Sequence, residues 1–249
     1  MILVRSPRLC AVTDIGTRRA SNEDRFFVSD DGRLWIVADG MGGQAAGEIA
    51  STLAVDAIVE SMSTVPSSDE PSDRDRVSVH LLRAMASAQD AVLEYGALHE
   101  GCGGMGSAVL AAYLDGDRLH LCHAGDVRCY VLSRGVLAQV TRDHSLAALL
   151  VHSGLLSAEQ ARSHSGRGML EQAIGRYRGF NPARNCHDLL ADDRVLLCSD
   201  GLWDALGDEE IAAFLSCDAP AGQIATDLTD RANACGGHDN ITAVVYRHA

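Results

Sequence analysis

Four aspartates lie at or next to the ends of segments with the composition of β-strands. Asp39 ends the apolar run 34–38 and Asp200 follows the apolar run 195–198, and each is followed at once by a glycine. Glycine lets backbone and ligand approach closely. The pattern therefore predicts carboxylates held at a sheet edge, and the full set is Asp24, Asp39, Asp200 and Asp239.

The four Asp-Gly pairs of the chain fall into two settings. The pairs at 31–32 and 115–116 lie between two β-like segments, which predicts hairpin turns. The pairs at 39–40 and 200–201 instead join an apolar strand to a helical pattern. This second setting favours a functional site, although an ordinary turn remains the alternative.

A pocket of carboxylates requires cations, because like charges repel and would otherwise take up protons. Carboxylate and carbonyl oxygens are hard ligands that suit Mg²⁺ or Mn²⁺ better than zinc. Four carboxylates balance the charge of two divalent ions. Two such ions can generate a hydroxide nucleophile and hold a phosphoryl group. From the residues alone, solvent-exposed aspartates at strand ends remain the alternative.

The composition excludes several classes of protein. A net charge of −13 argues against nucleic acid or an anionic membrane as a general partner. The eight cysteines occur without a CxxC pair, which favours a reducing compartment over a zinc or redox motif. No apolar run approaches the roughly 18 residues of a membrane span. We expect a cytoplasmic protein, with a monomer as the default state.

The periodicity predicts an α+β protein with antiparallel sheets, because strict βαβ alternation is missing. We expect one domain over 1–249, with residues 144–185 as an inserted subdomain and 66–76 as a mobile loop. Ser157 and Gln160 fit a capping box. The predicted strands are 9–15, 25–29, 34–38, several between 107 and 140, 193–198 and one after residue 240. The predicted helices are 44–63, 77–98, 208–216 and 220–234.

Seven short motifs occur in the order found in the metal-dependent protein phosphatases of the 2C type. The chain resembles most the compact bacterial serine/threonine phosphatases of that family, and the resemblance covers nearly its whole length. The motifs are RxxNED at 19–24, ADGMGG at 38–43, GMGS at 104–107, AGDVR at 124–128, TRDHS at 141–145, SDGLWD at 199–204 and HDNIT at 238–242.

The resemblance implies an αββα sandwich in which residues 1–249 form a single catalytic domain and 144–185 form a flap. It implies hydrolysis of phosphoserine and phosphothreonine by a water or hydroxide bound to a dinuclear Mn²⁺ or Mg²⁺ centre. No side chain is then required as nucleophile. Phosphorylated proteins would be the substrates, and a bacterial Ser/Thr kinase would act in opposition. No nucleic acid or membrane partner is implied.

The same resemblance assigns most of the metal ligands. Asp39 would bridge both cations and the carbonyl of Gly40 would bind one of them. Asp200 and Asp239 would hold the first cation.

The remaining assignments from the family pattern are less direct. Asp24 would serve the second cation, with Glu23 as its rival or as an indirect ligand. Adjacent residues of a strand point to opposite faces, so only one of this pair is expected to bind strongly. Asp126 and Asp204 match positions of a possible third cation, with structural turn roles as the alternative. Arg19 would bind the substrate phosphate.

Two features of the sequence leave parts of the mechanism open. Met41 stands where many eukaryotic members carry a histidine proposed as general acid, so the proton donor to the leaving group is not assigned. Cys122 and Arg128 satisfy the C-x5-R pattern of cysteine-dependent phosphatases, although Asp126 would place a negative charge in that loop. A catalytically inactive phosphoprotein-binding module of the same fold is the second alternative.

Overall fold

The computed structural model describes residues 2–42, 46–63, 75–176 and 179–249. Within these ranges it contains eleven strands and seven helices. The strands are β1 (Ile2–Ser6), β2 (Leu9–Asp14), β3 (Asp24–Val28), β4 (Leu34–Met41), β5 (Gly106–Asp115), β6 (Arg118–Ala124), β7 (Arg128–Ser133), β8 (Val136–Gln139), β9 (Ala183–Asp188), β10 (Arg194–Cys198) and β11 (Ile241–Arg247). The helices are α1 (Ala46–Met62), α2 (Arg76–Leu98), α3 (Leu146–His152), α4 (Ala158–Arg162), α5 (Asp200–Trp203), α6 (Asp208–Ser216) and α7 (Ala221–Ala234).

The strands form two sheets in which every described ladder is antiparallel. The first sheet has the order β1-β2-β11-β10-β7-β8, and the second has the order β3-β4-β5-β6-β9. The chain passes from the first sheet to the second between β2 and β3 and returns between β6 and β7. It crosses once more to form β9 in the second sheet and returns for β10 and β11. The predicted α+β sandwich of antiparallel sheets is confirmed.

Side-chain alternation along the strands separates three apolar layers. On β4, Trp35 and Val37 face the other sheet, whereas Ile36 faces α1 and α2. On the first sheet, Leu197 faces the second sheet and Leu196 packs against α6 and α7. Both faces of the central strands are therefore buried, and this explains why they appear as continuous apolar runs in the sequence.

The predicted helices correspond to α1, α2, α6 and α7 with boundary differences of one or two residues. The capping box at α4 is confirmed, since the Ser157 hydroxyl accepts from the Gln160 N–H and the Gln160 side chain accepts from the Ser157 N–H. Most of the predicted loop 66–76 lies outside the described residues, and α2 begins at Arg76. None of the described helices has the length and apolar composition needed to cross a membrane.

Two strands were not predicted from the sequence, β1 and β9, and both are at sheet edges. β9 reads ARNCHD, and none of its residues is buried. An edge strand that is open to solvent needs no apolar alternation, so it lacks the pattern on which strand prediction depends.

The segment 144–185, predicted as a flap, contains α3 and α4, and its last residues begin β9. Two ion pairs connect it to the first-sheet side of the molecule, Arg162 with Asp208 and Arg167 with Asp204. Its later part returns to the second sheet through paired backbone bonds between Ser107 and Ile174. Its role as a separate subdomain stays a prediction.

We predict that Leu81→Ala lowers the free energy of unfolding by about 2–5 kcal/mol, because Leu81 is fully buried between α2 and the second sheet. The matched control is Leu98→Ala on the same helix. Leu98 is 72% exposed, so its change should stay within about 0.5 kcal/mol. Urea unfolding followed by circular dichroism measures both, and equal midpoints would contradict the packing of α2.

Candidate metal centre

The centre is built first on β3 and β4, where Asp24 and Asp39 are directly opposite one another. Residues directly opposite in an antiparallel pair project to the same face of the sheet. β5 fixes the end of β4 from the other side, because the Ser107 hydroxyl donates to the Asp39 carbonyl at 2.9 Å. The two carboxylates are thus placed by the sheet itself.

Gly40 permits a close approach of three chain segments. Its N–H donates to the Glu23 carbonyl at 3.2 Å. A Cβ atom at this position would overlap the Gly47 carbonyl oxygen in the first turn of α1 and lie 2.7 Å from the Glu23 carbonyl oxygen. Only glycine fits here, which explains why the strand ends in Asp-Gly. Gly43, the last residue of the same motif, lies outside the described residues.

The first sheet supplies the other two predicted ligands. Asp200 is the first residue of α5, two residues after the end of β10, and Asp239 lies two residues before β11. β10 and β11 are paired, and the N–H of Ser199 donates to the Thr242 carbonyl at 3.1 Å beyond the end of the ladder. The ends of neighbouring strands therefore bring these aspartates to one place.

Burial makes the cluster electrostatically unfavourable. It raises the pKa of Asp24 to about 7, and the charges of Asp200 and Asp239 add to the effect. Burial likewise raises the pKa of Asp200 to about 6, with the Asp239 charge second. The pKa values of Asp39 and Asp126 lie well above the usual range for the same two reasons, burial and neighbouring carboxylates. Cations would favour the ionised forms of all of these groups.

The donor set fits divalent cations, as a specific atom indicates. Oδ1 of Asp200 is buried and has no hydrogen-bond partner among the described residues. A buried carboxylate oxygen without a partner is costly, and a hard cation is its natural ligand. As the side chains are placed, no three His, Cys, Asp or Glu groups of the described ranges converge to hold a metal.

Arg19 lies at the cluster, in contact with a predicted ligand. Its Nη2 donates to Oδ2 of Asp239 at 2.6 Å, and Oδ1 of Asp239 accepts from the Asn240 N–H at 2.8 Å. The Arg19 side chain is 49% exposed, so the guanidinium faces the opening of the site. Its contact with a substrate phosphate stays a prediction.

Of the adjacent carboxylates Glu23 and Asp24, the structure groups Asp24 with Asp39. Oδ2 of Asp24 accepts from the Ser199 hydroxyl at 2.6 Å, and the residue is 1% exposed. The Glu23 carboxylate instead lies against the first turn of α1, because a Cβ on Gly47 would meet its Oε2 at 2.5 Å. The ligand assignment of either residue stays a prediction.

The two residues predicted for a third cation differ in their surroundings. Asp126 is 6% exposed and close enough to Asp200 for that charge to raise its pKa. Asp204 is exposed, and both of its oxygens accept from the guanidinium of Arg167 in the segment 144–185. The structure thus places Asp126 with the cluster and Asp204 in an ion pair. The third cation stays a prediction.

Sequence reasoning missed the residues that hold the cluster in place. Oδ1 of Asn240 accepts from the Glu23 N–H at 2.8 Å, and its Nδ2 donates to the carbonyls of Ile15 and Ser21. This one amide fixes the loop between β2 and β3. Ser199 and Asn240 both belong to motifs noted in the sequence. Their partners lie far away in the chain, however, so spacing alone could not reveal them.

The chain belongs to the protein phosphatase 2C family, because the model of that family, described as "Protein phosphatase 2C", matches residues 17–234. It is 37% identical over 238 residues to the serine/threonine protein phosphatase PstP of Mycobacterium tuberculosis. The match covers 96% of this chain but only 44% of PstP. It is 31% identical to the serine/threonine phosphatase stp of Listeria monocytogenes, with 94% and 92% of the two chains covered.

Comparison with a solved structure supports the same fold. The catalytic domain of PstP in complex with two manganese ions matches with a TM-score of 0.84 and 33% identity. The alignment covers 97% of this chain and 98% of that domain. The family and the fold class inferred from the sequence motifs are therefore confirmed.

We predict that Mn²⁺ at about 100 times its dissociation constant raises the melting temperature by roughly 5 °C or more. Asp39→Asn should abolish this shift. In the metal-free state, the same substitution should raise the melting temperature above wild type, because it removes a repelled charge. Differential scanning fluorimetry measures both effects.

The control for that measurement is Asp56→Asn, which changes an exposed aspartate on α1. It should keep the full Mn²⁺ shift. A normal shift in Asp39→Asn would show that the cation binds elsewhere.

Proposed function

We propose that this chain is a metal-dependent serine/threonine protein phosphatase. Two divalent cations, Mn²⁺ or Mg²⁺, bind at the strand ends of the two sheets. The observation that carries the proposal is the buried carboxylate cluster, in which Oδ1 of Asp200 has no hydrogen-bond partner within the described part of the chain. The proposed ligands of the two cations are Asp24, Asp39, the carbonyl of Gly40, Asp200 and Asp239.

The residues of the chain have distinct roles in this proposal. When bound, the pair of cations supplies an activated water molecule and neutralises charge on the phosphoryl group. Asp39 and Asp24, fixed in register on β4 and β3, hold the ions on the second sheet. Asp200 and Asp239 hold them on the first sheet. Arg19 orients the phosphate with its guanidinium, which matches phosphate geometry.

The relatives support this assignment. PstP of M. tuberculosis and stp of L. monocytogenes are named serine/threonine phosphatases, and the PstP catalytic domain was crystallised with two manganese ions. By analogy, the substrates are phosphorylated proteins and a Ser/Thr kinase acts in opposition, in the cytoplasm. The chain spans less than half of PstP, so the activity and partners of the whole protein belong to the proposal.

The cysteine-dependent alternative conflicts with the surroundings of Cys122. This thiol is fully buried on the helix side of β6, and burial raises its pKa to about 12. A thiol that does not ionise is a poor nucleophile. Arg128, the other residue of the C-x5-R pattern, donates three hydrogen bonds to the Asp143 carboxylate, and its Cζ lies 3.6 Å from the Trp203 ring centroid.

We predict that purified protein hydrolyses p-nitrophenyl phosphate and phosphothreonine peptides with Mn²⁺ and loses this activity in EDTA. Asp39→Asn and Asp239→Asn should each reduce kcat/KM at least about 100-fold, because each removes a charge that holds a cation. Asp56→Asn is the matched control and should retain wild-type rates. Steady-state kinetics with each metal gives these values.

The outcome that contradicts the proposal is specific. Tight binding of a phosphopeptide by Mn²⁺-loaded protein, with no turnover, would identify an inactive phosphoprotein-binding module. Full activity in both aspartate variants with normal metal binding would show that the site lies elsewhere.

We also predict that Cys122→Ser and Cys122→Ala keep metal-dependent activity within a few-fold of wild type. The thiol lies in the apolar layer beneath α1 and α2 and has no part in the chemistry. Alkylation of the exposed cysteines should likewise leave the rate unchanged. Abolished activity in both folded variants would restore the cysteine-dependent mechanism.

A further inference from the structure

Arg176, in the later part of the segment 144–185, contacts the strand that carries Asp39. Its side chain is exposed, and its Nη1 contacts Sδ of Met41 at 3.2 Å. Met41 and Asp39 are two residues apart on β4, so their side chains project to the same face. Met41 packs against the apolar layer between the sheets, and this is the face on which Asp39 lies.

The backbone holds Arg176 in this position. Ser107 and Ile174 exchange two backbone hydrogen bonds of 2.9 Å, which fix the end of the segment against β5. The stem of Arg176 lies flat on Gly106, the β5 residue that pairs with Met41. A Cβ on Gly106 would overlap Cγ of Arg176 and lie 2.6 Å from the Ile174 carbonyl oxygen. Because Gly106 has no side chain, the Arg176 side chain can lie over it, and the guanidinium reaches Met41.

The hydrogen-bond partners of the Arg176 guanidinium leave it available to bind an anion. Three other arginines, in the sequence motifs or the segment 144–185, contact carboxylates: Arg19 with Asp239, Arg128 with Asp143 and Arg167 with Asp204. Among the described residues, the hydrogen bond of Arg176 goes to a thioether, which is a weak acceptor. Its remaining donors are directed to no described carboxylate.

The distance along β4 suits a phosphate. Two strand residues span about 6.5 Å, so the guanidinium lies within reach of a phosphate group held over Asp39. Arg19 reaches the cluster from the first sheet through Asp239, whereas Arg176 reaches it from the second sheet through Met41.

We propose that Arg176 is a substrate-binding residue that donates hydrogen bonds to the phosphate oxygens of the phosphorylated substrate. The inference rests on the proposed function and adds a second phosphate contact to it. A planar guanidinium binds two phosphate oxygens at once. Oxygens that neither attack nor leave are contacted before and during the reaction, so the residue acts mainly on KM.

The test titrates Mn²⁺-loaded protein with inorganic phosphate by calorimetry. Arg176→Ala should bind phosphate roughly 10- to 100-fold more weakly than wild type, and Arg176→Lys should be intermediate. The matched control is Arg184→Ala, which removes an exposed arginine from β9 of the same sheet. It should leave phosphate affinity unchanged.

Kinetics with p-nitrophenyl phosphate should agree with the titration. Arg176→Ala should raise KM by a similar factor while kcat changes only a few-fold. Its Mn²⁺ affinity should equal that of wild type, because Arg176 contacts none of the proposed ligands. Equal phosphate affinity in wild type and Arg176→Ala would overturn the inference, as would an increase in KM that appears only with phosphopeptides.

The measurements separate this inference from the proposed function. Normal turnover with unchanged phosphate affinity in Arg176→Ala would refute the role of Arg176 alone. Absence of turnover in Mn²⁺-loaded wild type would refute the phosphatase activity. The calorimetric comparison would then still decide whether Arg176 binds phosphate.

Discussion

The mutual repulsion of buried carboxylates is the constraint on which the rest of this structure depends. Asp24, Asp39, Asp126 and Asp200 all have raised pKa values because the fold removes them from water and places them side by side. Such an arrangement is unfavourable for the isolated chain. The arrangement is explained if the ends of the two sheets form a site in which cations balance the negative charge of the carboxylates.

The αββα arrangement of layers explains how a small protein tolerates the unfavourable free energy of burying neighbouring carboxylates. Apolar layers lie between the sheets and between each sheet and its helices, and the carboxylates lie at the strand ends. The cluster lies where the chain crosses between the sheets, with Asp24 after the crossing from β2 to β3 and Asp126 within the crossing from β6 to β7. Polar side chains such as Asn240 and Ser199 then fix the crossing segments without adding charge.

Most of the fold and the acidic cluster could be predicted from the sequence, for physical reasons. Asp39 and Asp200 were distinguished from the hairpin aspartates by what followed them, and the structure shows the same difference. The edge strand β9 carries no apolar signal and was missed. Arg176 was missed for another reason, since its importance arises from a contact with Met41, 135 positions away in the sequence.

The position of the proposed ligands on both sheets has a consequence for the chain as a polymer. Asp39 and Asp200 are about 160 residues apart, so a cation shared between them closes a very long loop. Loop closure of this length removes configurational freedom from any partly unfolded state that keeps the ion. The cation would therefore serve as a reversible cross-link, comparable in topology to a disulfide, and its loss would remove this constraint from the partly unfolded states.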